Sequence, residues 1–243
     1  MAEAFLWGLF AGSSLVIGGV VALGIGMRQR VLGLIMAFGA GVLISAVAYE
    51  LVGEAFDTAS LDWAVALGLF AGALMFYLGD AAIDSFGGAH RKHSGGAQAT
   101  GSAYAIVLGI VLDGIPESMV IGLGLLEGGG VSAAVVAAVF LANLPESIAA
   151  TSGLVTAGWR RARILGLWAL VMLVTAVASL AGYALLDGAS DEAVAFVLAF
   201  AGGAVLTMLA DTMMPEAFEH GGKLVGLATT LGFAVAFAIT ALE

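Results

Sequence analysis

The stretch AYAIVLGIVLDGIPESMVIGLGLL, residues 103–126, is apolar along most of its length but carries Asp113 and Glu117 near its middle. As a helix it is long enough to cross a bilayer. A carboxylate at membrane depth is costly, so it usually belongs to a pathway for an ion, a proton or a substrate. Pro116 cannot donate to the carbonyl of Leu112, which leaves that oxygen available to a cation. The stretch therefore predicts a transmembrane helix that contains part of a cation site.

A second apolar stretch, residues 130–157, repeats this element as Asn143-Leu-Pro-Glu146-Ser147. Residues three or four apart share a face of a helix, so each stretch presents two oxygen-bearing side chains on one side. Three carboxylates brought together in this way repel one another unless a cation lies between them. The predicted metal ligands are Asp113, Glu117, Asn143 and Glu146. The alternative is that these acids are packing residues or halves of intramembrane ion pairs, but no Lys or Arg lies at this depth to pair with them.

The composition excludes several classes of protein. The chain is 61% hydrophobic and 11% charged, which is not the composition of a soluble domain. Cysteine is absent, so disulfides, iron–sulfur clusters and thiolate metal sites are excluded. Only eight residues are Lys or Arg, too few for a nucleic-acid surface. The expected partners are divalent metal ions and the lipid bilayer, and we expect no organic cofactor.

Apolar runs separated by short polar breaks predict an all-α membrane protein, a single transmembrane domain over residues 1–243. The eight predicted helices span residues 4–27, 31–56, 62–86, 102–126, 130–157, 162–186, 191–219 and 223–242. With this helix count all eight basic residues fall in loops on one side: Arg28, Arg30, Arg91, Lys92, Arg160, Arg161, Arg163 and Lys223. By the positive-inside rule that side is cytoplasmic, and both termini lie outside.

An internal repeat is visible when residues 38–56 are aligned with residues 200–218, at an offset of 162. Six of the 19 positions are identical, and the shared ending Glu-Ala-Phe is not an effect of composition. The predicted helices 2 and 7 run in opposite directions, so the repeat is inverted, as is common in secondary transporters. With the two Pro-Glu helices at the centre, the chain has a 3 + 2 + 3 arrangement.

Further acids lie near the two predicted membrane faces. Glu50 and Glu54, toward the outer end of helix 2, are candidates for a cation entrance. The candidates for a cation exit, toward the inner end of helix 7, are Asp211, Glu216, Glu219 and His220. Glu216 and His220 are four residues apart, a plausible metal-binding pair. For both groups the alternative is a solvated helix end.

These residues resemble the ZIP (Zrt/Irt-like) family of divalent-metal transporters, especially its bacterial GufA-like branch. The family's helix 4 reads H-N-x-P-E-G, and here Pro116 and Glu117 match while Asp113 occupies the His position. On helix 5, Asn143, Pro145 and Glu146 fit the related element. The stretch Met214-Pro-Glu-Ala-Phe218 is similar to the acid segment of the family's helix 7.

The resemblance covers the whole chain and implies eight helices, outside termini, inverted symmetry and a homodimer. It also implies alternating access, in which helices 1, 4, 5 and 6 move against helices 2, 3, 7 and 8. The chain departs from the family because both motif histidines and the acid of helix 6 are missing, so a second metal site is not expected. The remaining ligands are oxygens, which suit manganese, magnesium or calcium, although carboxylates also bind zinc.

We therefore expect a transporter of divalent cations such as zinc, manganese or iron, in the cytoplasmic membrane. Two alternatives remain open: a proton-coupled carrier of another solute, and a non-transporting metal sensor with the same fold. An enzyme is not expected, because the sequence offers no arrangement of serine or cysteine with histidine at membrane depth.

Overall fold

The structure is a computed structural model that describes residues 1–60, 62–86, 103–125 and 133–242. These residues form helices and connecting turns, with no β-strand among them. In chain order the helices are α1 (Ala2–Gly24), α2 (Gln29–Thr58), α3 (Asp62–Ser85), α4 (Ala103–Leu123), α5 (Ala133–Thr156), α6 (Arg161–Leu186), α7 (191–221) and α8 (Val225–Thr240). The predicted loop 87–101, the predicted start and end of helix 4 and the predicted start of helix 5 lie outside the described residues.

Several helices are long and apolar enough to cross a membrane. By length and composition the described chain has six such stretches: Ala2–Gly24, Gln29–Thr58, Trp63–Ser85, Ala133–Thr156, Arg161–Leu186 and Asp191–Thr240, the last of which contains both α7 and α8. Helix α3 is the least covered by the rest of the protein, and its Trp63, Phe70 and Leu74 are exposed. Exposed apolar side chains of this size suit a lipid-facing surface. The chain is therefore all-helical, with the helix lengths and composition of a membrane protein.

Helices α2 and α7 each contain a π-helical segment, Val47–Gly53 in α2 and Leu209–Met213 in α7. Position 209 follows position 47 by 162 residues, the offset at which the two helices align in sequence. A π segment is an energetically poor insertion that is often found at functional sites. The apolar pattern predicted continuous helices here but did not predict the π segments, because the residues that form them are ordinary helix residues.

Helix ends follow local backbone preferences. The first helix ends at Gly24 rather than at the predicted residue 27, because Ile25 is extended with φ −125° and ψ 114°. Two glycines in this region, one on each side of Ile25, favour such an ending. Helix α7 ends at Gly221, and the next residue, Gly222, has a φ of +64°, in the region that favours glycine. A single 3₁₀ turn, Gly222–Leu224, then leads directly into α8.

The helices pack in two groups. In one group α1 packs against α5 and α6, and α6 packs against α4. In the other, α2 packs against α8 and the end of α7, and α3 packs against the first part of α7. The two groups meet mainly where α2 contacts α5 and α4 contacts α7. The Pro-Glu helices α4 and α5 therefore lie on the boundary between the groups.

Glycines let helix backbones touch within the second group. A Cβ atom would overlap a backbone carbonyl oxygen at several of them, and four of these glycines form matched pairs: Gly41 meets Thr229, Gly232 meets Phe38, Gly203 meets Leu69, and Gly72 meets Phe200. The α2 positions correspond to the α7 positions at an offset of 162 (203 − 41 and 200 − 38). The α3 positions correspond to those of α8 at an offset of 160 (229 − 69 and 232 − 72). The α2–α8 contact is thus repeated, glycine for glycine, in the α7–α3 contact.

Candidate cation site

A small cavity lies between the middles of α4 and α5, with α1 and α6 forming its other walls. Its lining includes the predicted ligands Asp113, Asn143 and Glu146. The space open to water-sized groups measures about 20 Å³, enough for one water molecule or one bare cation. Asp113 lies at the centre of α4, and Asn143 and Glu146 lie at the centre of α5. We call this space the central cavity.

The polar side chains of the central cavity are almost completely withdrawn from solvent. Asp113 is 2% exposed, Asn143 4% and Glu146 8%. The sequence places no Lys, Arg or His between residues 103 and 156, nor between residues 164 and 186 on α6. No basic side chain of α4, α5 or the central part of α6 can therefore neutralise the carboxylates. A buried charge is normally paired or bound to a metal, so the donor set favours a cation.

Asn143 is the neutral member of the predicted ligand set. Its side chain is buried and lines the cavity together with Asp113 and Glu146. The carbonyl oxygen of an asparagine side chain is a ligand for hard divalent cations. Asn143 can therefore add a third oxygen donor to the two carboxylates.

The walls of the cavity are held by contacts that the sequence did not predict. Trp168 of α6 lines the cavity, and its indole N–H donates to the Thr151 hydroxyl of α5 at 2.8 Å. A Cβ on Gly19 would be crowded by the Trp168 ring, so α1 packs closely against α6 at this point. Thr175, also in the lining, donates its hydroxyl proton to the carbonyl of Val171 at 2.9 Å. The Thr175 oxygen keeps lone pairs that can face the cavity. No sequence signal marked these residues, because single Thr and Trp residues are common in apolar helices.

The serines of the two Pro-Glu elements have a structural role. Ser118 donates to the carbonyl of Gly114, and Ser147 donates to that of Leu144, so both hydroxyls satisfy backbone oxygens of their own helix. A Cβ on Gly18 would overlap the Ser147 hydroxyl, which shows how closely α1 approaches α5 at this level.

Glu117, the fourth predicted ligand, lines a different cavity. It is 3% exposed and shares a space of about 20 Å³ with Glu50 of the α2 π segment, among otherwise aliphatic residues. Glu50 accepts a hydrogen bond of 2.7 Å from the hydroxyl of Thr240, at the end of α8. We call this space the outer cavity, after the membrane face near which Glu50 is predicted to lie. Asp113 and Glu117, four apart on one helix, therefore line two adjacent cavities rather than one.

The remaining predicted residues belong to α2 and α7 and line neither cavity. Glu54 is half-buried and lines neither the central nor the outer cavity. Glu216, Glu219 and His220 come together in the last turn of α7, with one ligand atom of each within 4.8 Å of the others. His220 Nε2 lies 3.2 Å from Glu216 Oε1. Asp211 is exposed in the α7 π segment and is not part of this group, although the sequence placed it there.

No protein-family model matches the chain, and no curated protein sequence matches it. The functional interpretation therefore depends on the chemistry of the residues themselves.

Proposed function

We propose that the protein transports divalent metal cations across the cytoplasmic membrane by alternating access, with the central cavity as its binding site. The observation that carries this proposal is that Asp113, Asn143 and Glu146 line one buried cavity. They meet halfway along two apolar helices that contain no basic residue. A polar cavity at this depth is the usual position of a transporter's substrate site.

Charge and size both favour a divalent ion. Two carboxylates balance a charge of +2, and a cavity of about 20 Å³ admits one dehydrated ion but not an organic solute. The donors are oxygens from carboxylates, an amide and a hydroxyl, which suit manganese or magnesium better than copper or nickel. Zinc and iron remain candidate substrates, because carboxylate oxygens bind both.

The other acids extend the site toward both faces of the membrane. Glu54 would raise the local concentration of cations at the outer mouth, and Glu50 would pass the ion to Glu117 in the outer cavity. On the other side the ion would leave past Glu216, Glu219, His220 and the exposed Asp211. The one-sided distribution of the basic residues makes that side cytoplasmic.

Alternating access is supported by the internal symmetry of the helices. The π segments of α2 and α7 and the glycine contacts of α2–α8 and α7–α3 recur at constant offsets of 162 and 160. We propose eight spans in an inverted 3 + 2 + 3 repeat, with the group of α1, α4, α5 and α6 moving against the other group. This arrangement, the outside termini and a homodimer are also what the resemblance to ZIP transporters implies.

Uptake by proteoliposomes tests the proposal. Purified protein should carry manganese or zinc into vesicles, and Glu146→Ala should abolish uptake, because one carboxylate supplies a large share of the charge that balances a dehydrated divalent ion. Glu3→Gln, which removes an exposed acid far from the cavity, is the matched control and should transport normally.

Equilibrium binding separates this function from its rivals. Protection of the wild-type protein against thermal unfolding by manganese or zinc, lost in Glu146→Ala, is expected for a carrier and for a metal sensor. Uptake then distinguishes the carrier from the sensor. Proton uptake without any metal-dependent protection would overturn the proposal in favour of a proton-coupled carrier of another solute.

A further inference from the structure

The end of α7 carries a compact group of three metal-binding side chains, Glu216, Glu219 and His220, which we call the inner cluster. They occupy positions i, i+3 and i+4 of one helical turn, so they share a face. Their ligand atoms lie within 4.8 Å of one another, close enough for all three to reach a single ion. Glu216 is buried, His220 is half-buried and Glu219 is exposed, so the group is accessible from one side.

The inner cluster differs in chemistry from the central cavity. The described lining of the central cavity has no imidazole and no sulfur ligand, and its polar ligands are oxygens. The inner cluster adds the nitrogen of His220, which lies 3.2 Å from Glu216. Imidazole favours zinc, copper and nickel, whereas carboxylate and amide oxygens favour manganese, magnesium and calcium. The two sites should therefore prefer different ions.

The inner cluster is also placed where it can affect movement. At Gly33 of α2, a Cβ would overlap the backbone N of Gly221 and lie 2.9 Å from the carbonyl carbon of His220. The last turn of α7 thus packs backbone-to-backbone on α2. The same turn follows the α7 π segment directly, with Pro215 at its start. An ion bound to all three side chains would stiffen this turn against α2.

We propose that the inner cluster is a metal site of its own that binds zinc-like ions in preference to manganese, and that its occupancy from the cytoplasmic side slows uptake of the harder ion. The regulatory half of this proposal rests on the proposed transport function, whereas the binding half does not. The physical basis is the single imidazole of His220, which the central cavity lacks.

A titration of the full-length protein with zinc, in excess manganese, tests the binding half. Excess manganese fills the oxygen site, so the zinc that still binds reports on the inner cluster. His220→Asn should weaken this zinc binding at least about tenfold. Replacing both other histidines, His90→Asn with His93→Asn, is the matched control and should leave it unchanged. Unchanged zinc affinity in His220→Asn would overturn the site.

A second variant keeps the test valid if His220→Asn does not fold. Glu219 is exposed, so Glu219→Gln should fold normally and also weaken zinc binding. Zinc binding that survives in Glu219→Gln but disappears in the double variant of His90 and His93 would assign the zinc to the loop 87–101 and exclude the inner cluster.

Transport tests the regulatory half. Manganese uptake is measured with and without zinc inside the vesicles, the side that receives the transported ion. The rate with zinc, divided by the rate without zinc, should be several-fold below one in the wild type. In His220→Asn the same ratio should stay near one, whatever the rate of that variant without zinc. Equal inhibition of both proteins, or none in the wild type, would overturn the regulation. Absence of manganese uptake by the wild type would overturn the regulation. Absence of zinc and iron uptake as well would overturn the proposed function, and the zinc titration would still decide the site.

Discussion

Asn143 provides a test of metal binding by the central cavity. Its side chain is buried and lines this cavity with Asp113 and Glu146. Asn143→Leu keeps a similar side-chain size but removes an oxygen donor, so stabilisation of the protein by added manganese should be smaller than in the wild type. Thermal unfolding of both proteins in chelator and in manganese measures this difference. An equal rise in unfolding temperature on adding manganese would mean that Asn143 does not contact the ion.

Asp113 provides a test of metal preference. It lines the central cavity. In sequence it occupies the position at which the ZIP family, which the chain resembles, has histidine. Asp113→His replaces a hard anionic oxygen by an imidazole nitrogen, so affinity for manganese should fall while zinc gains a favourable ligand. The ratio of zinc to manganese uptake should therefore rise at matched expression. An unchanged or lower ratio would mean that Asp113 does not contact the ion.

Glu117 shows why sequence spacing did not define the site completely. Asp113 and Glu117 are four apart, and helix geometry placed them on one face, in one predicted site. The structure places Glu117 in the outer cavity with Glu50, because α2 reaches this part of α4 while α1 and α6 reach the part around Asp113. Spacing along one helix tells which side chains are neighbours, but the packing of other helices decides which cavity each side chain enters.

Among the helices, the repeated glycine contacts allow a matched test. Gly41→Ala and Gly203→Ala each force a Cβ against a backbone carbonyl oxygen, of Thr229 and Leu69 respectively. Overpacking of this kind typically costs about 1–3 kcal/mol, and the two variants should lose similar stability if the contacts are equivalent. Gly166→Ala is the control, because nothing lies within 4 Å of a Cβ at this helical position. Thermal unfolding in detergent measures the stability of all three variants. An unfolding temperature of Gly41→Ala equal to that of the wild type would contradict the close contact.

The same helices show the limit of sequence patterns. Alignment of residues 38–56 with 200–218 predicted that α2 and α7 are related, and the π segments occur at the aligned positions. The segments themselves carried no signal, because hydropathy changes little when a helix gains one residue in a turn. The packing partners of the two related helices were also not predictable. Helix α2 packs against α8 and α7 packs against α3, and these contacts join distant parts of the chain.

For the protein as a whole, the sequence predicted the coarse features directly. An all-helical chain with long apolar helices follows from 61% hydrophobic residues in long runs, and the structure confirms it for the described residues. The number of membrane crossings and the inversion of the repeat stay predictions, because both depend on a membrane that composition alone does not position. Orientation depends on the loops, and the loop with Arg91 and Lys92 lies outside the described residues.

Orientation can be tested directly, because the chain contains no cysteine and a single introduced thiol is labelled without background. Ala2 is the first residue of α1, Ala241 follows α8, and Ser94 belongs to the predicted basic loop 87–101. If all basic loops are cytoplasmic, a membrane-impermeant reagent should label Ala2→Cys and Ala241→Cys in intact cells, but Ser94→Cys only after permeabilisation. An odd number of crossings would place Ala2 and Ala241 on opposite sides. Labelling of Ala2→Cys and Ser94→Cys from the same side would exclude three membrane crossings between these two residues. It would then also exclude the outer location proposed for Glu54 and the inner location proposed for Glu216.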